Sequence, residues 1–143
     1  MRLTPASELE ARYKKLQALM EPAGLDAVLM IQSADLFYFT GSVQQGALYV
    51  PISGEPLYLV RKDHSRARME CGLREVHPFP SPKDIPGRLA DFGHPLPKRL
   101  GMELDVVPVA LFQRFQNVLP GAVVSDATPL IRAVRAVKSD YEI

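Results

Sequence analysis

Short apolar runs of strand length alternate with amphipathic helical segments along much of this 143-residue chain. AVLMI (27–31), RLGMEL (99–104) and AVVSD (122–126) have the length of strands. The segments 109–119 and 128–137 place apolar residues three and four apart, as one face of a helix does. Strands that alternate with helices predict an α/β domain, because parallel strands are joined by crossover helices.

The first half of the chain adds a helix and a hairpin to this pattern. Thr4 and Pro5 are typical of a helix start, with Thr4 as N-cap and Pro5 as the first helical residue. ALYVPI (47–52) and PLYLV (56–60) flank a Gly-containing turn, which predicts antiparallel strands. We therefore expect a three-layer α/β domain with a mixed β-sheet flanked by helices. Further elements are predicted at 62–72 (helix), 74–79 (edge strand) and 88–92 (short helix).

Composition excludes several classes of protein. The 47% apolar and 23% charged residues are those of a globular domain rather than a disordered chain. The net charge of +1 does not favour a nucleic-acid partner, and no apolar run approaches the roughly 20 residues of a membrane span. The single cysteine, Cys71, fits a reducing compartment. We expect a cytoplasmic protein that binds neither nucleic acid nor membrane.

Residues that could carry chemistry are scattered. His64, His77 and His94 lie in three different predicted settings, without local metal-ligand spacing. Glu103 and Asp105 could act as an acid–base pair, but two acids that follow a strand favour a solvated cap for the next helix. A basic stripe on the last helix is interpreted as a solvated face, formed by Arg132, Arg135 and Lys138. The residues themselves therefore indicate no catalytic constellation.

Five stretches, in chain order, resemble a known family. They are GLDAVLM (24–30), ADLFYFTG (34–41), GEPLYLV (54–60), RLGMELDVVPVALFQRF (99–115) and LIRAVRAVKSDYEI (130–143). Together they are similar to the N-terminal domain of the creatinase/prolidase/Xaa-Pro aminopeptidase family, whose catalytic half has the "pita-bread" fold. The second stretch departs from that family's pattern, with Asp35 where Asn is usual and Phe39 where Leu is usual.

The resemblance implies a division of the chain. Residues 1–137 would form the N-terminal domain, and residues 138–143 would begin a C-terminal catalytic domain. Ser139 and Glu142 fit a capping box at the start of that domain's first helix. The family's two divalent metal ions (Mn, Co or Zn) and its catalytic residues belong to the catalytic domain, so no cofactor and no catalytic residue is assigned here.

The resemblance also implies partners for this domain. These are its own C-terminal catalytic domain, a second copy in a homodimer, and a proline-containing peptide as substrate. The loop after Thr40-Gly41, formed by Ser42, Val43, Gln44 and Gln45, would contribute to the substrate entrance. Alternatively, the loop glutamines are ordinary surface groups, and the aromatic residues 37–39 before them pack in the core.

Three other functions remain open from the sequence. The same N-terminal domain precedes creatinase-type amidinohydrolases, which cleave a C–N bond without metal. It also occurs in peptidase-dead relatives that bind proteins, such as histone chaperones. A stand-alone α/β binding module would require Ile143 to be a natural C-terminus, which the capping box argues against.

Overall fold

In the computed structural model of this chain, residues 3–61, 64–78, 81–138 and 142 are described. The predicted capping box from Ser139 to Glu142 therefore lies largely outside the described residues. The described strands are β1 (Ala27–Met30), β2 (Gly46–Pro51), β3 (Leu57–Val60), β4 (Glu75–Pro78), β5 (Arg99–Met102) and β6 (Val123–Asp126). The helices are α1 (Ala6–Met20), α2 (Ser33–Thr40), α3 (His64–Glu70), α4 (Ile85–Asp91), α5 (Val109–Val118) and α6 (Thr128–Ala136), with a 3-10 turn at Pro82–Asp84.

The six strands form one mixed sheet in the order β4-β3-β2-β1-β5-β6. The β1–β2 and β2–β3 pairs are antiparallel, as the predicted hairpin requires. The β3–β4, β1–β5 and β5–β6 pairs are parallel. The prediction of a mixed sheet is confirmed, and so is the prediction that the strand before the proline-rich stretch lies at an edge.

Helices cover both faces of the sheet. Val28 and Met30 of β1 pack with α1, α2 and α6, whereas Ala27 and Leu29 face α4 and α5. A strand buried on both faces needs an apolar residue at every position, which explains the unbroken AVLM sequence of β1. The structure thus has the predicted three layers. None of its described helices is long and apolar enough to traverse a membrane.

One predicted helix terminus is wrong, and one helix is not among the predicted elements. The first helix begins at Ala6, and its N-cap is Pro5 rather than Thr4, without a capping hydrogen bond from a side chain. Helix α2 has no counterpart among the predicted elements. Its N-cap Gln32 accepts a hydrogen bond from the Asp35 N–H, and Gly41 ends it in the left-handed conformation at φ 79°. This short helix directly precedes the candidate loop, residues 42–45.

Candidate functional site

The loop predicted to contribute to a substrate entrance, residues 42–45, connects α2 to β2. Gly41 ends α2, and its N–H donates to the Phe37 carbonyl oxygen at 2.8 Å. A residue with a β-carbon resists this left-handed turn, so glycine is favoured here. After this turn, the loop lies at the end of the sheet where β1 and β5 finish and β2 begins.

One carboxylate holds the loop in place. Glu70, at the end of α3, accepts hydrogen bonds at Oε1 from Ser42 Oγ at 2.9 Å and from Gln44 Nε2 at 3.3 Å. Partial burial alone would raise the pKa of Glu70, but these bonds, with one from the Val43 N–H, lower it overall. Tyr58 Oη also donates to the Gln44 carbonyl oxygen at 2.5 Å. The loop is therefore fixed to the core from two sides.

These contacts divide the four predicted loop residues into two pairs. Ser42 is fully buried, and Gln44 is half-buried, so their polar groups serve the loop itself. Val43 is 66% exposed, and Gln45 is also exposed. Only Val43 and Gln45 therefore offer side chains to a ligand. The aromatic residues before the loop are divided too, since Phe39 is buried in the core whereas Phe37 is half exposed.

A small cleft of about 190 Å³ lies beside this loop. Gln45 lines it, together with the guanidinium-bearing side chains Arg61 and Arg114. The Arg61 N–H donates to the Gln45 carbonyl oxygen at 3.0 Å, which connects the end of β3 to the loop. The apolar part of the lining is formed by Ile31, Pro82, Leu111 and Phe115.

A pair of buried carboxyl groups lies at the same sheet edge. Glu103 is 1% exposed, and its Oε1 accepts the N–H groups of Ile31 at 2.6 Å and Gln32 at 3.1 Å. Burial, together with the neighbouring carboxyl of Asp35, raises the pKa of Glu103 to about 8 despite these bonds. The prediction of a solvated Glu103 is therefore wrong, because this side chain ties β5 to the end of β1.

The predicted basic stripe of α6 is only partly solvated. Arg135 Nη1 donates to Asp35 Oδ1 at 2.7 Å, and Arg132 Nη2 donates to Asp105 Oδ2 at 2.8 Å. Asp105 also accepts from Thr128 Oγ1 at 2.7 Å. Neither of the two predicted capping acids serves α5, whose N-cap is Pro108. Acidic side chains from distant segments therefore neutralise two of the three basic residues.

A larger cleft of about 740 Å³ lies between α1, α2 and α6. Arg12 of α1 lines it and is itself buried. Its side chain donates to the Tyr38 carbonyl oxygen at 2.6 Å and to Glu8 Oε2 at 2.8 Å. The guanidinium carbon lies 4.2 Å from the Tyr38 ring centroid, and Glu142 approaches Nη2 at 4.0 Å. Arg12 therefore joins three segments instead of facing water.

In the described part of the chain, residues that could bind a metal or attack a substrate are not brought together. Among the described residues, no group of three or more His, Cys, Asp or Glu side chains could hold a metal ion. His64 Nε2 lies 2.9 Å from the Val76 carbonyl oxygen, and His94 contacts the Tyr49 ring. Burial raises the pKa of Cys71 to about 11, which leaves its thiol protonated. The two divalent ions implied by the resemblance therefore find no ligand set in the described residues.

The mixed six-stranded sheet with helices on both faces defines the class as a three-layer α/β domain. Solved structures share this fold. A proline dipeptidase from Streptococcus pneumoniae superposes with a TM-score of 0.76 at 22% identity, over 88% of this chain and 98% of that one. The N-terminal domain of the cytoplasmic peptidase PepQ from Mycobacterium tuberculosis gives 0.75 at 24% identity, over 87% and 98%.

The chain belongs to the Creatinase/Prolidase N-terminal domain family, whose sequence model matches residues 12–137. It is 26% identical to the uncharacterized hydrolase/peptidase y4tL of Sinorhizobium fredii, over 97% of this chain but only 40% of that protein. The prolidase from Pyrococcus horikoshii superposes with a TM-score of 0.77 at 19% identity, over 92% of this chain and 37% of that one. The chain thus spans about two fifths of these longer proteins.

Proposed function

We propose that this chain is the non-catalytic N-terminal domain of a proline-specific metallopeptidase, an Xaa-Pro aminopeptidase or dipeptidase. Residues 1–137 form the domain, and residues 138–143 lead into a catalytic domain that binds two divalent ions (Mn, Co or Zn). The supporting observation is that the family match covers residues 12–137 whereas the chain spans only 40% of y4tL. A cytoplasmic location agrees with the name of the mycobacterial PepQ neighbour.

A peptidase is favoured over an amidinohydrolase by the names of the similar proteins. The solved neighbours include a proline dipeptidase, an Xaa-Pro dipeptidase and an Xaa-Pro aminopeptidase, and y4tL is described as a hydrolase/peptidase. The parent reaction would be hydrolysis of a peptide bond before proline. Its catalytic groups would all come from the catalytic domain.

In this proposal the 42–45 loop forms part of the substrate entrance. Glu70 and Tyr58 fix its backbone, so Val43 and Gln45 point outward from a rigid support. Pre-organised groups bind a ligand with less loss of conformational entropy than mobile ones. An exposed apolar side chain beside an amide suits a peptide, which offers apolar side chains and backbone hydrogen-bonding groups. The loop would serve the active site of the partner subunit in a homodimer.

Comparison of the 143-residue chain with the longer protein tests the proposal. The chain alone should fold, as circular dichroism would show, but should neither hydrolyse Xaa-Pro dipeptides nor bind Mn²⁺, Co²⁺ or Zn²⁺ tightly in calorimetry. The longer protein should do both and should sediment as a dimer. Tight, stoichiometric metal binding by the chain alone would overturn the proposal.

A substitution in the loop tests its role separately. In the longer protein, Val43→Asp should raise KM for an Xaa-Pro dipeptide several-fold with little change in kcat. Val123→Asp is the matched control, because Val123 is 71% exposed on the outermost strand β6. If Val43→Asp and Val123→Asp had the same KM, the loop would not contribute to the substrate entrance.

A further inference from the structure

We propose that the cleft lined by Tyr49, His94 and Lys98 binds a free apolar α-amino acid, such as leucine, as a zwitterion. The cleft has a volume of about 410 Å³ and lies between the end of β2 and the segment that joins α4 to β5. Because β1 and β5 begin here and β2 ends here, the cleft is at the opposite end of the sheet from the 42–45 loop. The inference goes beyond the proposed function and does not depend on it.

The Tyr49 hydroxyl is the observation that points to a ligand. Tyr49 is 2% exposed, and its side chain lines the cleft. A buried tyrosine hydroxyl usually has a hydrogen-bond partner, yet this one has none among the described residues. Burial and the nearby charge of Asp26 raise the pKa of Tyr49 to about 12, so the hydroxyl keeps its proton and can donate it. A donor without an acceptor in the wall of a cleft favours a ligand that supplies the acceptor.

Two further groups in the lining suit a carboxylate. Burial lowers the pKa of His94, so its imidazole is neutral above pH 7 and offers one N–H donor. The His94 ring centroid lies 6.0 Å from that of Tyr49. Lys98 is exposed, and its ammonium group has no ion-pair partner in the described part of the chain. Two neutral donors beside one positive charge match the carboxylate of an amino acid.

The opposite charge in the lining comes from Asp26, which directly precedes β1. Its Oδ2 accepts the backbone N–H groups of Lys98 at 2.8 Å and Arg99 at 2.9 Å, which fixes the carboxylate in the cleft wall. The bonds from the Arg99 and Lys98 N–H groups lower the pKa of Asp26, so it is ionised at neutral pH. The Asp26 carboxylate and the Lys98 ammonium group do not pair with each other in the described structure. Both charges are therefore available to the two charges of a zwitterion.

The uncharged lining suits an apolar side chain. Ile52 is 39% exposed and Leu96 is 56% exposed, and both line the cleft. Three prolines complete this part of the lining: Pro51, Pro95 and Pro97. Proline fixes its own φ, so these walls lose little conformational freedom when a ligand binds. The volume of about 410 Å³ lies at the small end of the roughly 300–1,000 Å³ range of ligand pockets, which fits one amino acid.

A binding experiment on the 143-residue chain tests this inference. Leucine, leucinamide, N-acetylleucine and glycine are titrated into isotope-labelled chain at pH 7.5, and the amide signals of Ile52 and Lys98 are followed by NMR. Leucine should shift both signals in a saturable manner. Leucinamide lacks the carboxylate and N-acetylleucine lacks the ammonium group, so each should bind at least about tenfold more weakly. Glycine lacks the apolar side chain and should also bind about tenfold more weakly.

Variants identify the groups responsible. Lys98→Gln should weaken leucine binding about tenfold and leave leucinamide binding unchanged, because leucinamide has no carboxylate. Its control is Lys83→Gln, which makes the same change in net charge at an exposed position outside the cleft. Tyr49→Phe should weaken leucine binding about tenfold. Its control is Tyr13→Phe, which removes a hydroxyl from a buried tyrosine on the other face of the sheet.

A stability measurement separates loss of the site from loss of the fold. The Tyr49 hydroxyl has no partner among the described residues, so Tyr49→Phe should not lower the midpoint of thermal unfolding without ligand. Asp26→Asn retains an oxygen for the two backbone N–H groups but removes the charge. This variant should weaken leucine binding and leave N-acetylleucine binding unchanged, because N-acetylleucine has no ammonium group.

Several results would overturn the inference. They are no saturable binding of leucine, an affinity for glycine equal to that for leucine, and an unchanged leucine affinity in both Lys98→Gln and Tyr49→Phe. Leucinamide or N-acetylleucine binding as tightly as leucine would mean that the cleft recognises one end of a peptide, which also contradicts a site for a free amino acid. None of these readouts involves metal binding or hydrolysis, so their failure is distinct from failure of the proposed function.

Discussion

Arg135 Nη1 lies 2.7 Å from Asp35 Oδ1, and the two residues are separated by 100 positions in the sequence. This ion pair joins α6, the last described helix, to α2, which leads to the candidate loop. The carboxylate is largely buried, with 12% of its side chain exposed, whereas 41% of the Arg135 side chain is exposed. The same carboxylate is a neighbour of buried Glu103. The pair therefore neutralises a charge that would otherwise face another acid.

Removal of Arg135 should destabilise the fold. We expect Arg135→Gln to lower the free energy of unfolding by about 1–2 kcal/mol, less than for a fully buried pair because the arginine is partly solvated. The double variant Asp35→Asn/Arg135→Gln should recover part of this loss, since no unpaired carboxylate remains. Urea unfolding measures both effects. The control, Arg132→Gln, should cost less than about 0.5 kcal/mol because this side chain is 74% exposed.

Stability should fall as the pH rises from 6.5 to 8. Burial raises the folded-state pKa of Glu103 to about 8, far above its usual range, so the folded chain retains a proton that the unfolded chain has lost. The unfolded state binds fewer protons in this interval, and the free energy of unfolding therefore decreases with pH, by about 1–2 kcal/mol. Burial lowers the pKa of His94, so around pH 6.5 the unfolded state binds more protons at this residue than the folded state does. Its contribution therefore opposes that of Glu103, and it does so at the lower end of the interval.

Glu103→Gln isolates the carboxyl responsible. The amide oxygen can still accept from the N–H groups of Ile31 and Gln32, but the side chain no longer titrates. Its urea-unfolding free energies at pH 6.5 and pH 8 should differ by less than those of the unmodified chain. Asp26 and Asp126 do not interfere, because hydrogen bonds lower their pKa values and their contribution is lost only in acid. The same change in unfolding free energy between pH 6.5 and pH 8 in the two proteins would contradict the prediction.

Glu70→Ala should loosen the candidate loop. The substitution removes the acceptor of Ser42 Oγ and Gln44 Nε2. The buried Ser42 O–H then lacks this acceptor, while its oxygen still accepts from the Gln44 N–H at 3.2 Å. We expect a loss of about 1–3 kcal/mol in unfolding free energy. Amide hydrogen exchange at residues 43–45 should accelerate more than exchange in the sheet. Glu10→Ala is the control, because Glu10 is exposed and pairs only with the exposed Lys14 among the described residues.

Gly41→Ala should be less stable than the unmodified chain. Gly41 has φ 79°, and an added β-carbon would lie 3.4 Å from the Glu70 carbonyl oxygen. A residue other than glycine costs roughly 1–2 kcal/mol in this conformation. Gly87→Ala, within α4, meets no atom within 4 Å and should be neutral or stabilising. Thermal unfolding of both variants checks the contrast, and a similar midpoint for the two would refute it.

The elements that the sequence predicts well are those with a strong local pattern. The hairpin of β2 and β3 follows from two apolar segments around a short Gly-containing turn, and α5 follows from apolar residues at helical spacing. Phe115 and Leu119 are buried as that spacing predicts. Helix α2 was missed because SADLFYFT is apolar on nearly all sides, so helical periodicity is absent.

The candidate site depended on contacts that local patterns do not encode. The position of Glu103 after a strand predicts a solvated carboxyl group, yet this side chain is buried, and so is the charged side chain of Arg12. Arg12 is held by Tyr38 and Glu103 by Ile31 and Gln32, groups that lie 26 to 72 positions away. The resemblance points to the 42–45 loop, whose part in a substrate entrance stays a prediction, and the sequence could not separate buried Ser42 from exposed Val43.

By itself, the sequence determined the three-layer α/β architecture, because hydrophobic pattern and turn residues act over a few positions. It indicated the family only through the five stretches that resemble known members. Tertiary structure decided which polar groups are available to a ligand. Glu70 accepts hydrogen bonds from the side chains of Ser42 and Gln44, and Asp35 neutralises Arg135. The two arginines that line the small cleft come from separate elements. The free energy of a buried polar group depends on partners that only folding brings within hydrogen-bonding distance.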